Sequence, residues 1–253
     1  MQAPLCEDQS SNKYPDKYQE LFKKYKNDGY CTLKHPDKEI LELSRQIKEN
    51  FFINGEIEEW KNKYAALNQG LRIQDSQFPA IRRLALNQEI IEMLSEFYGK
   101  KAFPFQSLLF PVGTQQHFHS DSIHFSSIPE RFMCGVWVAL EDIGLDQGPL
   151  EYYPKSHKLP IVKNEDIKYE VNENNISNTT QEIYETYWEE TVKKNKLEKN
   201  LFEAKLGNTL IWAANLLHGG SHQKNINLTR WSLVTHYYFE DCKFYTPMLS
   251  NEK

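Results

Sequence analysis

Phe132-Met-Cys-Gly-Val-Trp-Val-Ala-Leu140 is an apolar run that is short for a helix and rich in β-branched and aromatic residues, so it reads as a strand. Working outward, four more stretches have the same character: Phe105-Gln-Ser-Leu-Leu-Phe110, Leu150-Glu-Tyr-Tyr153, Asn208-Thr-Leu-Ile-Trp-Ala213 and Arg230-Trp-Ser-Leu-Val-Thr-His-Tyr-Tyr-Phe239. Turn chemistry separates them, as in Asp146-Gln-Gly-Pro149 and Leu206-Gly-Asn208. Upstream the period changes. Tyr18–Tyr25 carries an apolar stripe at helical spacing, Asn27-Asp-Gly29 makes a turn, and Tyr30–Leu33 reads as a short strand. Helices are expected from Lys38 to Phe52 and from Gln88 to Tyr98, the second stopping at Gly99.

Many short strands behind a helical lead-in imply a mainly β fold with flanking helices, its core a jelly roll. The expected organisation is one domain over residues 1–253. Residues 1–13 are polar and frayed, 14–102 form the helical lead-in, and 103–240 form the β core. Residues 161–204 are polar and carry a helix-like piece, Thr180–Glu190. An insertion this long between strands is expected to act as a lid or binding element.

The totals bound the function. A chain of 253 residues with 40% hydrophobic and 13% aromatic content can bury a real core. Its net charge of −5, with no basic block, argues against nucleic acid as a partner. No apolar run reaches transmembrane length, and the first residues lack the features of a signal peptide. Cys6, Cys31, Cys134 and Cys242 are widely spaced, so all four are expected reduced, in the cytoplasm. The expected partner is a small-molecule substrate, with no membrane; nothing bears on oligomeric state.

Two distant stretches carry metal-binding side chains. The first is Gln115-Gln-His-Phe-His-Ser-Asp121 and the second is His218-Gly-Gly-Ser-His-Gln-Lys-Asn-Ile-Asn-Leu-Thr-Arg230. Chance alone predicts about 0.3 His-x-Asp tripeptides in such a chain, so the motif needs context. In His35-Pro-Asp37 the proline fixes a turn and Asp37 suits a helix N-cap, a structural reading. In an extended strand His119 and Asp121 point to one face, and His218 follows an apolar strand that would end at a barrel mouth. Two imidazoles and one carboxylate then leave open metal positions, the arrangement of non-haem Fe(II) oxygenases. His117 shares the face but stands too far along for all three residues of one segment to wrap one ion, so it is expected to face substrate or support the ligands. Arg230 opens a largely apolar strand, where a buried guanidinium requires an anionic partner.

At this point the sequence resembles the phytanoyl-CoA dioxygenase family of Fe(II)/2-oxoglutarate oxygenases. The likeness lies in Gly113–Phe125, Gly135–Asp142, Gly148-Pro-Leu-Glu-Tyr-Tyr-Pro-Lys-Ser-His-Lys158, His218–Tyr238 and the lead-in Asp28–Leu33, most of the chain. It implies a double-stranded β-helix, cupin-like, with iron held by His119, Asp121 and His218. It also implies Arg230 on the distal carboxylate of 2-oxoglutarate, with Trp137, Gln106 and Ser221 near the cosubstrate. His117 and His124 are expected toward substrate. The reaction it implies consumes O2 and 2-oxoglutarate, releases succinate and CO2, and hydroxylates a small organic substrate. Relatives that halogenate replace the carboxylate with a small residue, so Asp121 favours hydroxylation.

Two other readings stay open: a cupin-like metalloprotein with non-redox chemistry, and a binding module that has lost activity. Arg230 speaks against the first, because without a dicarboxylate it has no evident purpose. The intact ligand set speaks against the second. His157 reads as a structural partner and His236 as a packed residue.

Overall fold

A computed structural model describes residues 16–52, 77–169 and 178–250. The expected frayed segment 1–13 and Cys6 lie outside the described residues. Helix α1 (Asp16–Asp28) buries Tyr18, Phe22 and Tyr25, spaced four and three apart on one stripe. It ends where Gly29 takes φ +83°, a conformation open to glycine, and the Gly29 amide donates to Tyr25 O at 2.8 Å. Strand β1 (Tyr30–Lys34) follows, then α2 (Ile40–Phe52), α3 (Pro79–Ala85) and α4 (Gln88–Tyr98). Asn87 caps α4 by accepting from the Ile90 amide, and Gly99 closes it in the left-handed region.

The β elements are β2 (Ala102–Phe110), β3 (Ser126–Ile128), β4 (Met133–Ala139), β5 (Leu150–Tyr152), β6 (Asn200–Phe202), β7 (Asn208–Ala213), β8 (His218–Gly220), β9 (Ser232–Phe239) and β10 (Lys243–Tyr245), with α5 (Asn178–Asn195) between β5 and β6. They form a five-stranded antiparallel sheet in the order β1-β7-β4-β9-β2, a three-stranded sheet β6-β5-β8 and the pair β10-β3. This is the expected cupin-like jelly roll.

Alternation sorts the large sheet's side chains. On one face Cys134, Val136, Val138, Ile211, Leu233 and Tyr237 pack under Phe22, Ile47, Leu84 and Phe97 of the helices. Burying an aliphatic side chain of this kind stabilises by about 1.5–3 kcal/mol, so the helical layer is held mainly by this face. On the other face Leu108, Trp137, Leu210, Trp212 and Val234 meet Leu150 and Tyr152 of the small sheet. The site lies at the mouth between the two sheets.

Three boundaries differ from expectation. The β core starts before residue 103, because β1 joins the large sheet with Tyr30 opposite Trp212. It also passes 240, since β10 pairs with β3. The 161–204 segment contains β6, which hydrogen-bonds to β5, so its last residues belong to the small sheet. Helix α3 was not anticipated: at seven residues it is too short to show a period, and Pro79 at its start is its one local signal. Cys31 and Cys134 are buried free thiols, and Cys242 is partly buried and free.

Candidate metal centre

The segment before Asp121 runs antiparallel to β8. His119 and His218 exchange backbone hydrogen bonds at 2.9 and 3.0 Å, which sets their rings 4.7 Å apart. Asp121 sits in the first turn of a 3-10 helix (Asp121–Ile123), not on a regular strand. Ser120 between them is extended (φ −105°, ψ 129°), so the side chains of His119 and Asp121 still leave on the same side. Each of the three residues offers a ligand atom within 4.8 Å of the others, and all three are buried.

The hydrogen bonds fix the tautomers. His119 Nδ1 lies 3.0 Å from His117 O, and His218 Nδ1 lies 2.9 Å from Leu216 O. A carbonyl can only accept, so each Nδ1 carries the proton and each Nε2 keeps a lone pair in the neutral ring. Those Nε2 atoms stand 3.6 and 3.7 Å from the Asp121 oxygens. Burial pushes His218 down to about 4, so it is neutral and able to ligate near pH 7. Burial alone would raise the Asp121 carboxyl; the surrounding imidazoles, His218 foremost, outweigh it and hold the group well below the usual carboxylate range. Trp212 Nε1 donates to Asp121 Oδ2 at 2.7 Å, a bond that also favours the ionised form.

A cavity of about 320 Å³ opens on these residues. Arg230 lines its deep end, fully buried, and donates through Nη1 to Ser232 Oγ at 3.2 Å. Its Nε has no partner, and no carboxylate pairs with it among the described residues. Burial lowers the guanidinium to about 10, so it stays charged at neutral pH. Trp137 lies beside it, ring centroid 5.4 Å from Cζ, and its own Nε1 is a buried donor without a partner. A buried cation and an orphan donor facing a cavity leave unmet demand for an anion.

The other anticipated residues divide. Gln106 and His124 line the cavity. His117 does not; its Nδ1 meets Phe118 O and its Nε2 meets Glu189 of α5 at 3.2 Å. Ser221 is also outside the lining, and its hydroxyl donates to Pro149 O at 2.7 Å. His236, read from sequence as packed, is buried among Phe105, Phe125 and Trp212 and also lines the cavity wall, with Nε2 3.7 Å from Asp121 Oδ2. The signal was available: residues 230, 232, 234 and 236 alternate to one face of a single strand. Trp212 left no such signal.

The fold is a jelly roll, and two histidines and one carboxylate in it form a group that could hold a metal ion. The chain belongs to the phytanoyl-CoA dioxygenase (PhyH) family, whose model matches residues 25–227. No curated protein matches it by sequence. Among solved structures it is similar to EctD from S. alaskensis with bound Fe, at TM-score 0.66 and 16% identity over 100% of this chain and 88% of that one. It is also similar to the non-heme alpha ketoglutarate dependent carbocyclase SnoK from nogalamycin biosynthesis (TM-score 0.63, 14% identity, 94% and 89% covered). The epimerase SnoN of the same biosynthesis gives 0.61 and 15% over 90% and 85%. At these identities the likeness establishes the fold. No helix among the described residues is long and apolar enough to cross a membrane.

Proposed function

We propose that this protein is an Fe(II)/2-oxoglutarate-dependent dioxygenase that hydroxylates a small organic substrate. The observation that carries the reading is the buried, unpaired Arg230 guanidinium in the same cavity as His119, Asp121 and His218. A dicarboxylate cosubstrate supplies the anion that this site lacks. The non-redox reading leaves that cation without a role.

Bound iron with 2-oxoglutarate would supply oxidation of an unactivated C–H bond by O2. The protein's part is positional. His119 and His218 hold their Nε2 lone pairs toward one point through backbone anchors on Nδ1. Asp121 completes the face while Trp212 restrains its carboxylate. Arg230 takes the distal carboxylate, with Trp137 Nε1 as a further donor, and Leu108, Phe110, Leu150 and Val234 keep water from that end. The neighbours titled epimerase and carbocyclase support the same chemistry with a different outcome, and Asp121 favours hydroxyl return here.

The test is anaerobic titration with Fe(II) and 2-oxoglutarate, followed by the visible charge-transfer band of the chelate. Wild type develops the band and His119→Ala does not. Succinate release under ¹⁸O2 then asks whether the label enters a hydroxylated product. A protein that binds iron but never forms the chelate band refutes the proposal.

A further inference from the structure

The metal centre and Arg230 account for the deep part of the cavity, but its mouth is lined by different chemistry. His236 Nδ1 meets Gln106 Oε1 at 3.0 Å, tying β9 to β2 across the wall. The Phe125 ring lies 5.1 Å from His236 and 5.2 Å from Phe105. Phe105 stacks on Tyr238 at 4.0 Å, and Tyr238 on Phe244 at 3.9 Å. Of these rings Phe125 and His236 line the cavity, and Phe105, Tyr238 and Phe244 continue from them as an aromatic wall that runs to the surface. Phe105 and Phe125 are half-buried and Phe244 is 39% exposed, so the wall keeps uncovered apolar faces. Polar groups of Gln106, His124 and Thr246 edge it.

Among the described residues, fixed charge is missing from this mouth. Among the described lining residues the fixed charges are Asp121 and Arg230, and the proposed function commits both, to the ion and to the cosubstrate. An ionised substrate group entering here would leave water and find no counter-charge among the described residues. Ring against ring, by contrast, gains from offset or edge packing beyond the area buried.

We infer that the mouth is the substrate site, and that it takes an uncharged planar ring bearing hydrogen-bonding groups, packed on the Phe125 ring where it lines the cavity and met at its edge by Gln106, His124 and Thr246. This rests on the oxygenase reading above. A cavity of about 320 Å³ that also holds the dicarboxylate admits one such ring. Ligand pockets span roughly 300–1,000 Å³, so this one is at the small end. The remainder of a larger substrate would lie outward along Phe105, Tyr238 and Phe244.

The test loads the full chain with Zn(II) and 2-oxoglutarate and titrates benzamide, benzoate, benzylamine and cyclohexanecarboxamide by ligand-observed NMR. Benzamide is expected to bind about tenfold or more tightly than either ionised analogue, since neither finds a counter-charge. It should exceed the non-planar amide by about fivefold, and Phe125→Leu, which keeps apolar bulk and removes the ring face, should lose a similar factor. A parallel 2-oxoglutarate titration reports that each variant is folded. Equal binding of a charged analogue, an unchanged affinity in Phe125→Leu, or no benzamide binding by protein that holds 2-oxoglutarate overturns the inference alone. Failure to bind 2-oxoglutarate at all overturns the oxygenase reading and this inference with it.

Discussion

Trp212 Nε1 donates to Asp121 Oδ2 at 2.7 Å, linking an inward residue of β7 to the one carboxylate of the metal centre. One oxygen of Asp121 is thereby held by a fully buried indole packed at 4.3 Å against the His218 ring. Trp212→Phe keeps the ring and removes the donor. Partners of metal ligands typically contribute about 10–100-fold in metal affinity, so a loss of that size is expected. Titration with Co(II), read from its d–d spectrum, measures it. Unchanged affinity and spectrum would show that the bond does not orient Asp121.

Gly135 provides the room for that indole. It pairs in register with Trp212 on one side and His236 on the other, and a Cβ there would collide with the Trp212 ring. Gly135→Ala is expected to destabilise the fold by about 1–3 kcal/mol, the usual effect of overpacking a close contact. It should also weaken metal binding, and combining it with Trp212→Phe should give less than the sum of the two metal effects, because both act through one indole. Thermal unfolding and metal titration of the three variants decide it; strict additivity in metal binding would contradict the shared route.

An unpaired buried guanidinium is a cost to the empty protein that its ligand removes. Replacing Arg230 with Met should therefore leave the apo protein as stable as wild type or more so, while 2-oxoglutarate affinity falls by about 1.5–3 kcal/mol, the size of a lost charge-assisted hydrogen bond. Iron binding is kept. Differential scanning calorimetry with and without 2-oxoglutarate separates the two effects. An Arg230→Met protein still stabilised by the cosubstrate to the wild-type extent would dismiss Arg230 as its anchor.

Much of this was legible in the chain. β4 and β7 announced themselves because both faces of each are buried, which gives apolar runs such as Phe132–Leu140. β3, β6, β8 and β10 did not, since each has three residues and period needs length; β5 is equally short and was legible only through the Asp146-Gln-Gly-Pro149 turn before it. That His119, Asp121 and His218 converge could be expected from local spacing plus a distant partner. His236 was passed over although it continues the alternation of Arg230, because an imidazole between aromatic residues reads as core. Trp212 was invisible for a different reason: its function is a contact with Asp121, and sequence separation of that size carries no local trace.

Acid should destabilise the protein through imidazoles remote from the metal centre. Burial pushes His35 and His157 down to about 4 in the folded chain, whereas a free imidazole titrates near 6.5. Between those values the unfolded chain binds more protons than the folded one, so stability rises with pH across that window and is lost as pH falls through it. His157 Nε2 donates to Lys26 O at 3.1 Å, a bond that Gln can replace without titrating. His157→Gln should lessen the slope of unfolding free energy between pH 4 and 6.5 by up to about 1.4 kcal/mol per pH unit. Urea unfolding at half-unit pH steps measures the slope; an identical slope in the variant would place the acid sensitivity elsewhere.

Helix α5 provides the last test, because it covers the site from outside the β core. Tyr184 and Trp188 are buried with Ile123, Tyr153, Val162 and Leu217, and the Trp188 ring reaches within 6.4 Å of His119. At the rim Glu189 meets His117 Nε2 at 3.2 Å, an exposed pair worth little by itself. The docking of α5 therefore depends on its two rings, and Trp188→Ala should remove about 3–5 kcal/mol of packing. If α5 opens as a unit, that loss appears as faster amide exchange across residues 182–195 with β9 still protected. Glu189→Gln should leave the pattern unchanged. Were Trp188→Ala to accelerate exchange equally in β9 and α5, the helix would be an inseparable part of the core, and the expectation that the 161–204 insertion acts as a lid would fail.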